Sequence, residues 1–302
     1  MAPAEGPLLA AIPVEGASHY QLHSGLYREA FEAERESFSS SLRRALFRPA
    51  MRWNSRRRAL LRAESALLAR RDGPRLMVFS EALRGRIERA YGARDITVER
   101  PGVDTQRFHP APEEPEGGGG DLVVRLLFVG HSFALKGLGP LLGALALHRA
   151  RGGRSCLTVA GAGPIGRFRR EAARRGLSEA VRFAGGVSRD AMPGLYRSHH
   201  ALVHPTFYDP FSLAAGEALA SGIPVVTTRR NGAAEIMESG REGYLIDDPG
   251  DEEAIADALD RLGDRETRRE MGRSAARLAR GLDAREHFAR VLDWLARAPE
   301  RE

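Results

Sequence analysis

The chain has 302 residues, 42% of them hydrophobic and 28% charged, with a formal net charge of +6 and an isoelectric point near 10. That is length enough for two domains with a core each, and a composition that excludes an intrinsically disordered chain. Three features exclude further classes: no apolar run reaches the ~18 residues of a membrane-spanning helix, Cys156 is the only cysteine, and no basic segment precedes the short apolar stretch of MAPAEGPLLAAIPVEG. An intramolecular disulfide and a multi-cysteine metal site are ruled out, and a cytoplasmic protein is expected.

The basic balance suits acidic partners. Of 46 basic residues, Lys136 alone is a lysine, which raises the question of what that position needs from a compact cation.

In chain order, residues 41–71 carry leucines at helical spacing (Leu42, Leu46, Leu60, Leu61, Leu67, Leu68). Pro49 and Asn54-Ser55 are expected to break them into a hairpin. RLMVF at 75–79 reads as a strand, Ser80 as the cap of a helix to Tyr91, and ITVER at 96–100 as a second strand. Two or three strands are too few for a complete doubly wound domain, so residues 1–110 are expected to form an incomplete N-terminal α/β domain. A Pro- and Gly-rich linker follows at 111–121.

From 122 to 282 apolar strands alternate with helix-length segments. The strands are expected at Val124–Val129, Cys156–Ala160, Val181–Ala184, Ala201–His204, Pro224–Thr227 and Tyr244–Ile246; helices are expected at Leu138–Ala150, Ile165–Arg175 and Leu213–Ala220. Short strands buried on both faces between helices predict a complete, doubly wound parallel sheet, which binds ligands at the carboxyl ends of its strands. Residues 283–302 are expected to form a C-terminal helix packing back towards the first part.

The turns at those carboxyl ends carry the candidate chemistry. Gly130 opens a loop ending Leu135-Lys136-Gly137, where backbone N–H groups and the lysine suit a diphosphate; the alternative is a surface lysine. Gly161-Ala162-Gly163-Pro164-Ile165-Gly166 matches G-x-G-x-x-G, but it follows the second strand, and no acidic residue closes the next one. A nicotinamide or flavin site is therefore rejected in favour of a tight turn that lets backbone approach a ligand, or a plain helix entry. In 204–228, HPTFYDPFSLAAGEALASGIPVVTT, Asp209 precedes a helix start and Glu217 lies inside the helix. The N–H groups of Phe211, Ser212 and Leu213 are expected to face an anion, with a carboxylate on either side for sugar and ribose hydroxyls. Taken singly, the better reading of Asp209 is an N-cap and of Glu217 a solvated helix residue.

Together, Asp209 through Glu217, Ala218-Leu219-Ala220 and Gly222-Ile223-Pro224-Val225 resemble the signature of family-4 retaining glycosyltransferases of GT-B type. The resemblance extends to Lys136-Gly137, Gly161-Ala162-Gly163-Pro164, Asn231-Gly232 and Pro101-Gly102-Val103-Asp104, spanning about residues 17–265. The segment HYQLHSGLYREAFEAE before the arginine hairpin is similar to lipopolysaccharide-core glucosyltransferases. The resemblance implies a hexose donor activated as a nucleoside diphosphate, with a UDP-sugar such as UDP-glucose expected, and no metal or other cofactor. It implies Lys136 on the diphosphate, Glu217 on the ribose, Asp209 on the transferred sugar, the 211–213 amides on sugar or phosphate, and His23 in the acceptor half. Asp209 stands where glutamate is usual, and Gly216 where leucine is. The acceptor implied is a glycan or glycolipid. Eleven arginines among residues 41–75, interleaved with Phe47, Met51 and Trp53, suggest peripheral contact with an anionic membrane, or alternatively a solvated basic face. A non-catalytic sugar-nucleotide binder is the rival reading. A nucleic-acid partner is disfavoured by the scarcity of aromatics for base stacking.

Overall fold

Two parallel sheets, each fed by helices, organise the chain. The computed structural model describes residues 7–38, 40–92, 95–111 and 123–297. The expected linker, apart from Ala111, lies outside them. Contacts divide the chain into one unit of residues 1–102, 209–211 and 284–302 and a second of 103–208 and 212–283.

The first unit holds β1 (Leu9–Ala10), β2 (His19–Gln21), α1 (Tyr27–Glu36), α2 (Ser41–Trp53), α3 (Ser55–Ala69), β3 (Arg75–Val78), α4 (Glu81–Tyr91) and β4 (Ile96–Val98). Its sheet runs β1-β2-β3-β4, all parallel, so four strands stand where two or three are expected. β1 escapes sequence reading because it is only two residues long. Asn54 divides the hairpin as expected: it ends α2 and its side chain caps α3 through the Arg57 N–H at 3.0 Å. Pro49 does not break α2 but lies inside it. A proline there removes one helical hydrogen bond. The helix persists with Phe47 packed against Phe38, their centroids 5.7 Å apart, and under the Arg57 guanidinium at 5.5 Å. Ser80 accepts from the Leu83 N–H at 3.3 Å, capping α4.

The second unit comprises β5 (Val124–Val129), α5 (Leu138–Ala150), β6 (Ser155–Ala160), α6 (Ile165–Arg174), β7 (Val181–Gly185), α7 (Met192–Arg197), β8 (Ala201–His204), α8 (Leu213–Ala220), β9 (Val225–Thr228), β10 (Gly243–Ile246), α9 (Glu252–Arg261) and α10 (Arg265–Ala279). The six strands are parallel in the order β10-β9-β8-β5-β6-β7, with every expected strand within one residue of its place. Leu126, Leu127 and Phe128 of the central strand are fully buried, and each such side chain contributes about 1.5–3 kcal/mol. His148 of α5 bridges Asp260 of α9 at 2.5 Å and the Ser155 hydroxyl of β6 at 2.9 Å. The residue types are those of a hydrolase triad, but Ser155 is 1% exposed and closed to substrate, so the array ties three elements together.

Residues 103–110 belong to the second unit, which moves the boundary ahead of the expected position 110. The cause is non-local: the Val103 N–H donates to the Leu282 carbonyl at 2.7 Å, and Thr105 donates to Asp283 at 2.6 Å. The final helix, α11 (Ala284–Ala296), groups with the first unit. There His287 and Arg290 meet Glu99 at 2.8 and 3.0 Å, and Arg75 donates to the Trp294 carbonyl at 3.2 Å.

Candidate active site

The loop after β5 is shaped by what it must avoid. Gly137 takes φ +82°, and a Cβ there would lie 2.0 Å from the Pro205 carbonyl oxygen. Only glycine fits, on both counts. The Lys136 loop is thereby pressed against the segment leaving β8. The Leu135 carbonyl accepts from the Phe207 N–H at 2.8 Å and the Thr206 hydroxyl at 3.1 Å. Gly130 also stands beside the lysine: a Cβ on it would meet Lys136 Cγ at 3.2 Å.

The neighbouring glycines have a different function from the expected one. A Cβ on Gly161 would lie 1.7 Å from the Gly130 carbonyl oxygen, and one on Gly163 would be 2.7 Å from the His131 carbonyl oxygen and the Phe133 ring. What approaches these two residues is the loop after β5, not open space for a ligand. They let the loops after β5 and β6 nest at one edge of the sheet.

The entry to α8 is held by buried hydrogen bonds. Asn231 Oδ1 accepts from the N–H groups of Ser212 and Ala233, each at 3.1 Å, while its amide nitrogen donates to Thr227 at 3.0 Å. The Ser212 hydroxyl lies 3.2 Å from His204 Nδ1 and accepts from the Ala215 N–H at 3.3 Å. Thr227 and Thr228 donate to the carbonyls of His204 and Thr206 at 2.8 and 2.6 Å. One expectation is therefore corrected: the Ser212 N–H is bound to Asn231 and does not face an anion. Leu213, the first residue of α8, is 53% exposed. Asp209 and Phe211 are buried, and contacts group 209–211 with the first unit.

Glu217 lies one turn into α8. It accepts from the Tyr196 hydroxyl at 2.8 Å. Burial pushes its carboxyl above the ordinary value, opposed by that hydrogen bond and by the charges of Arg189 and Arg107. Tyr196 is itself fully buried, with Phe108 edge-on at 5.8 Å, and Arg107 pairs with Asp190 at 2.8 Å. Sequence reading missed Tyr196, Arg107 and Arg189. Their signal was weak: a lone tyrosine in a six-residue helix, and arginines in an arginine-rich chain. It also passed over Thr206 and His204, which hold the scaffold.

In the first unit, His23 follows β2, exposed, edge-on to Phe79 at 5.3 Å. Partial burial and the nearby His287 lower its pKa, favouring the neutral imidazole. No helix among the described residues is long and apolar enough to cross a membrane.

Comparison with known proteins supports a family for the second unit. Residues 124–265 match the model of the family "Glycosyl transferases group 1". The chain is 36% identical over 205 residues to D-inositol 3-phosphate glycosyltransferase 2 of Catenulispora acidiphila, covering 62% of this chain and 48% of that protein. It is 30% identical over 227 residues to a glycogen synthase of Mycobacterium tuberculosis, covering 74% and 52%. The chain thus spans about half the length of these relatives. Among solved structures it is similar to WaaG, a glycosyltransferase involved in lipopolysaccharide biosynthesis, with a TM-score of 0.80 at 22% identity over 97% of this chain and 78% of that one. Anabaena Alr3699/HepE, solved with UDP and glucose, gives a TM-score of 0.71 at 20% identity over 92% and 71%. The fold is GT-B, and within it residues 124–265 are the part similar to the glycosyl transferases group 1 family.

Proposed function

We propose that this chain transfers a hexose from a nucleoside diphosphate sugar, with retention at the anomeric carbon, to a glycan or glycolipid acceptor. The observation carrying the reading is the scaffold that ties the Lys136 loop, through Leu135, to the segment entering the helix of Glu217. That loop and the segment that leads into α8 lie at the sheet edge where parallel folds bind nucleotides. Lys136 and the amino end of α8 stabilise negative charge growing on the diphosphate as the anomeric carbon–oxygen bond breaks. The freed phosphate oxygen takes the acceptor's proton while the acceptor oxygen bonds the same face of the sugar. Glu217 accepts hydrogen bonds from the ribose, Asp209 from the sugar, and neutral His23 serves the acceptor half. No metal enters this scheme.

UDP-glucose is the donor of choice for a first test, given the UDP and glucose complexes of Alr3699/HepE. Names among the similar proteins suggest three acceptor classes to try: an inositol phosphate, an α-glucan and a lipopolysaccharide precursor. The chain is incubated with UDP-glucose and each acceptor, and UDP release and glycosylated product are followed. Acceptor-dependent product is expected with one of them. Binding of UDP-glucose without hydrolysis or transfer to any acceptor would instead favour a non-catalytic sugar-nucleotide binder. The arginine hairpin is assigned to an anionic membrane surface, consistent with an acceptor presented there.

A further inference from the structure

Seven arginines line a cleft of about 890 Å³ in the second unit, and no aspartate or glutamate does so among the described residues. Its place in the fold separates it from the candidate active site. His199 and His200 in its wall immediately precede β8, and Ile223 and Pro224 immediately precede β9. In a parallel sheet the amino ends of strands form the edge opposite the one that carries the Lys136 loop. Helix α8 connects the two edges: its amino end begins at Ser212, and Ser221-Gly222 after its carboxyl end belong to the cleft wall.

The sequence of α10 makes the cleft one-signed. Arg265, Arg269, Arg273 and Arg277 recur every four residues and line the cleft, while Glu266 and Glu270 fall outside the lining. Arg273 pairs with Glu266 at 2.9 Å. Arg277 and Arg280 have no carboxylate partner among the described residues. The wall is built rather than incidental. A Cβ on Gly272 would lie 2.3 Å from the Gly222 carbonyl oxygen, so only glycine lets α10 pack so close to the end of α8. Ser274 anchors the same helix to buried Glu242 at 2.7 Å. Ser221, 2% exposed, brings to the wall a hydroxyl with no hydrogen-bond partner among the described residues.

Gathering these guanidinium groups in one concavity, with Arg277 and Arg280 lacking a carboxylate partner among the described residues, is unfavourable until an anion occupies it. Guanidinium forks match phosphate oxygens in pairs. The volume lies within the roughly 300–1,000 Å³ of small-molecule sites. Apart from its two histidines the lining is without aromatic rings, which leaves no platform for stacking bases. We propose that this cleft binds a compact, multiply phosphorylated small molecule as a ligand separate from the sugar donor.

The test uses inorganic pyrophosphate, titrated calorimetrically into the full chain at fixed ionic strength. One pyrophosphate per chain is expected in the cleft, retained by Lys136→Ala and weakened at least about tenfold by Arg277→Ser with Arg280→Ser. A control pair, Arg229→Ser with Arg241→Ser, removes the same charge from exposed positions of the same unit and should leave the affinity unchanged. Absence of binding, its loss in Lys136→Ala, or equal weakening by both pairs would each overturn the proposal. Should the cleft variant fold poorly, phenylglyoxal labelling of the unaltered chain decides the matter. Pyrophosphate should protect Arg277 and Arg280, and labelling identical with and without it would count against the site.

Discussion

At the scale of single residues, one buried and one half-buried carboxyl make opposite demands. Glu64 of α3 is 2% exposed and accepts from the Tyr27 N–H at 3.0 Å, serving as an anion at the amino end of α1. Burial nonetheless raises its pKa to about 7, against the help of that N–H. Below its unfolded value near 4.5 it is neutral in both states. As pH climbs through about 7 the native state must ionise a buried carboxyl, so stability falls across that window, by up to about 3 kcal/mol. Glu64→Gln should flatten the fall in urea midpoints between pH 4.5 and 7.5; an unchanged slope would show that another group is responsible. On the proposed reading Glu217 accepts ribose hydroxyls as an anion, and the Tyr196 hydroxyl favours its ionised form. Tyr196→Phe should weaken UDP-glucose binding by about 3- to 10-fold at pH 6.5, the effect of losing ~1 kcal/mol. The deficit should narrow as pH rises, because the lost hydrogen bond opposes the upward shift of the carboxyl. Loss independent of pH would mean that Tyr196 only packs. Lys136 and Asp209 stood out as charges at strand-to-helix turns, and Glu217 as a carboxylate inside the helix that follows. Tyr196 did not, since its function depends on a partner 21 residues away.

Elements of the second unit were readable because their signals are local. A β-strand buried on both faces is a run of apolar residues, and helices start where glycine or serine ends the turn. Non-local elements hid. The bridge of Val103 with Asp283 joins residues far apart in sequence, and no periodicity announces it. Pro49 shows the reverse failure, a strong local breaker overruled by aromatic packing around Phe47. The hairpin formed by α2 and α3 leaves Leu42, Leu46 and Trp53 exposed, Trp53 by 89%, amid arginines. Apolar side chains beside basic ones suit insertion at an anionic interface. The chain should sediment with phosphatidylglycerol vesicles but not with phosphatidylcholine vesicles. Trp53→Ala with Leu46→Ser should abolish most of that binding while leaving the thermal midpoint intact, as exposed positions allow. Undiminished sedimentation would assign the attraction to net charge alone.

On the scale of the whole molecule, the chain holds a parallel α/β unit that matches the glycosyl transferases group 1 family and a second parallel α/β unit. The domain match covers residues 124–265, where the signature residues lie, while about half the length of the similar curated proteins has its counterpart here. The central claim is that Lys136 and Glu217 hold one diphospho-sugar between them. Calorimetric titration of UDP-glucose into the full chain and into Lys136→Ala and Glu217→Ala tests it most directly, with circular dichroism confirming the fold of each. The account predicts saturable binding by the unaltered chain and a loss of well over tenfold in both variants, about 1.4 kcal/mol or more each. Equal affinity in all three, with the fold intact, would contradict it.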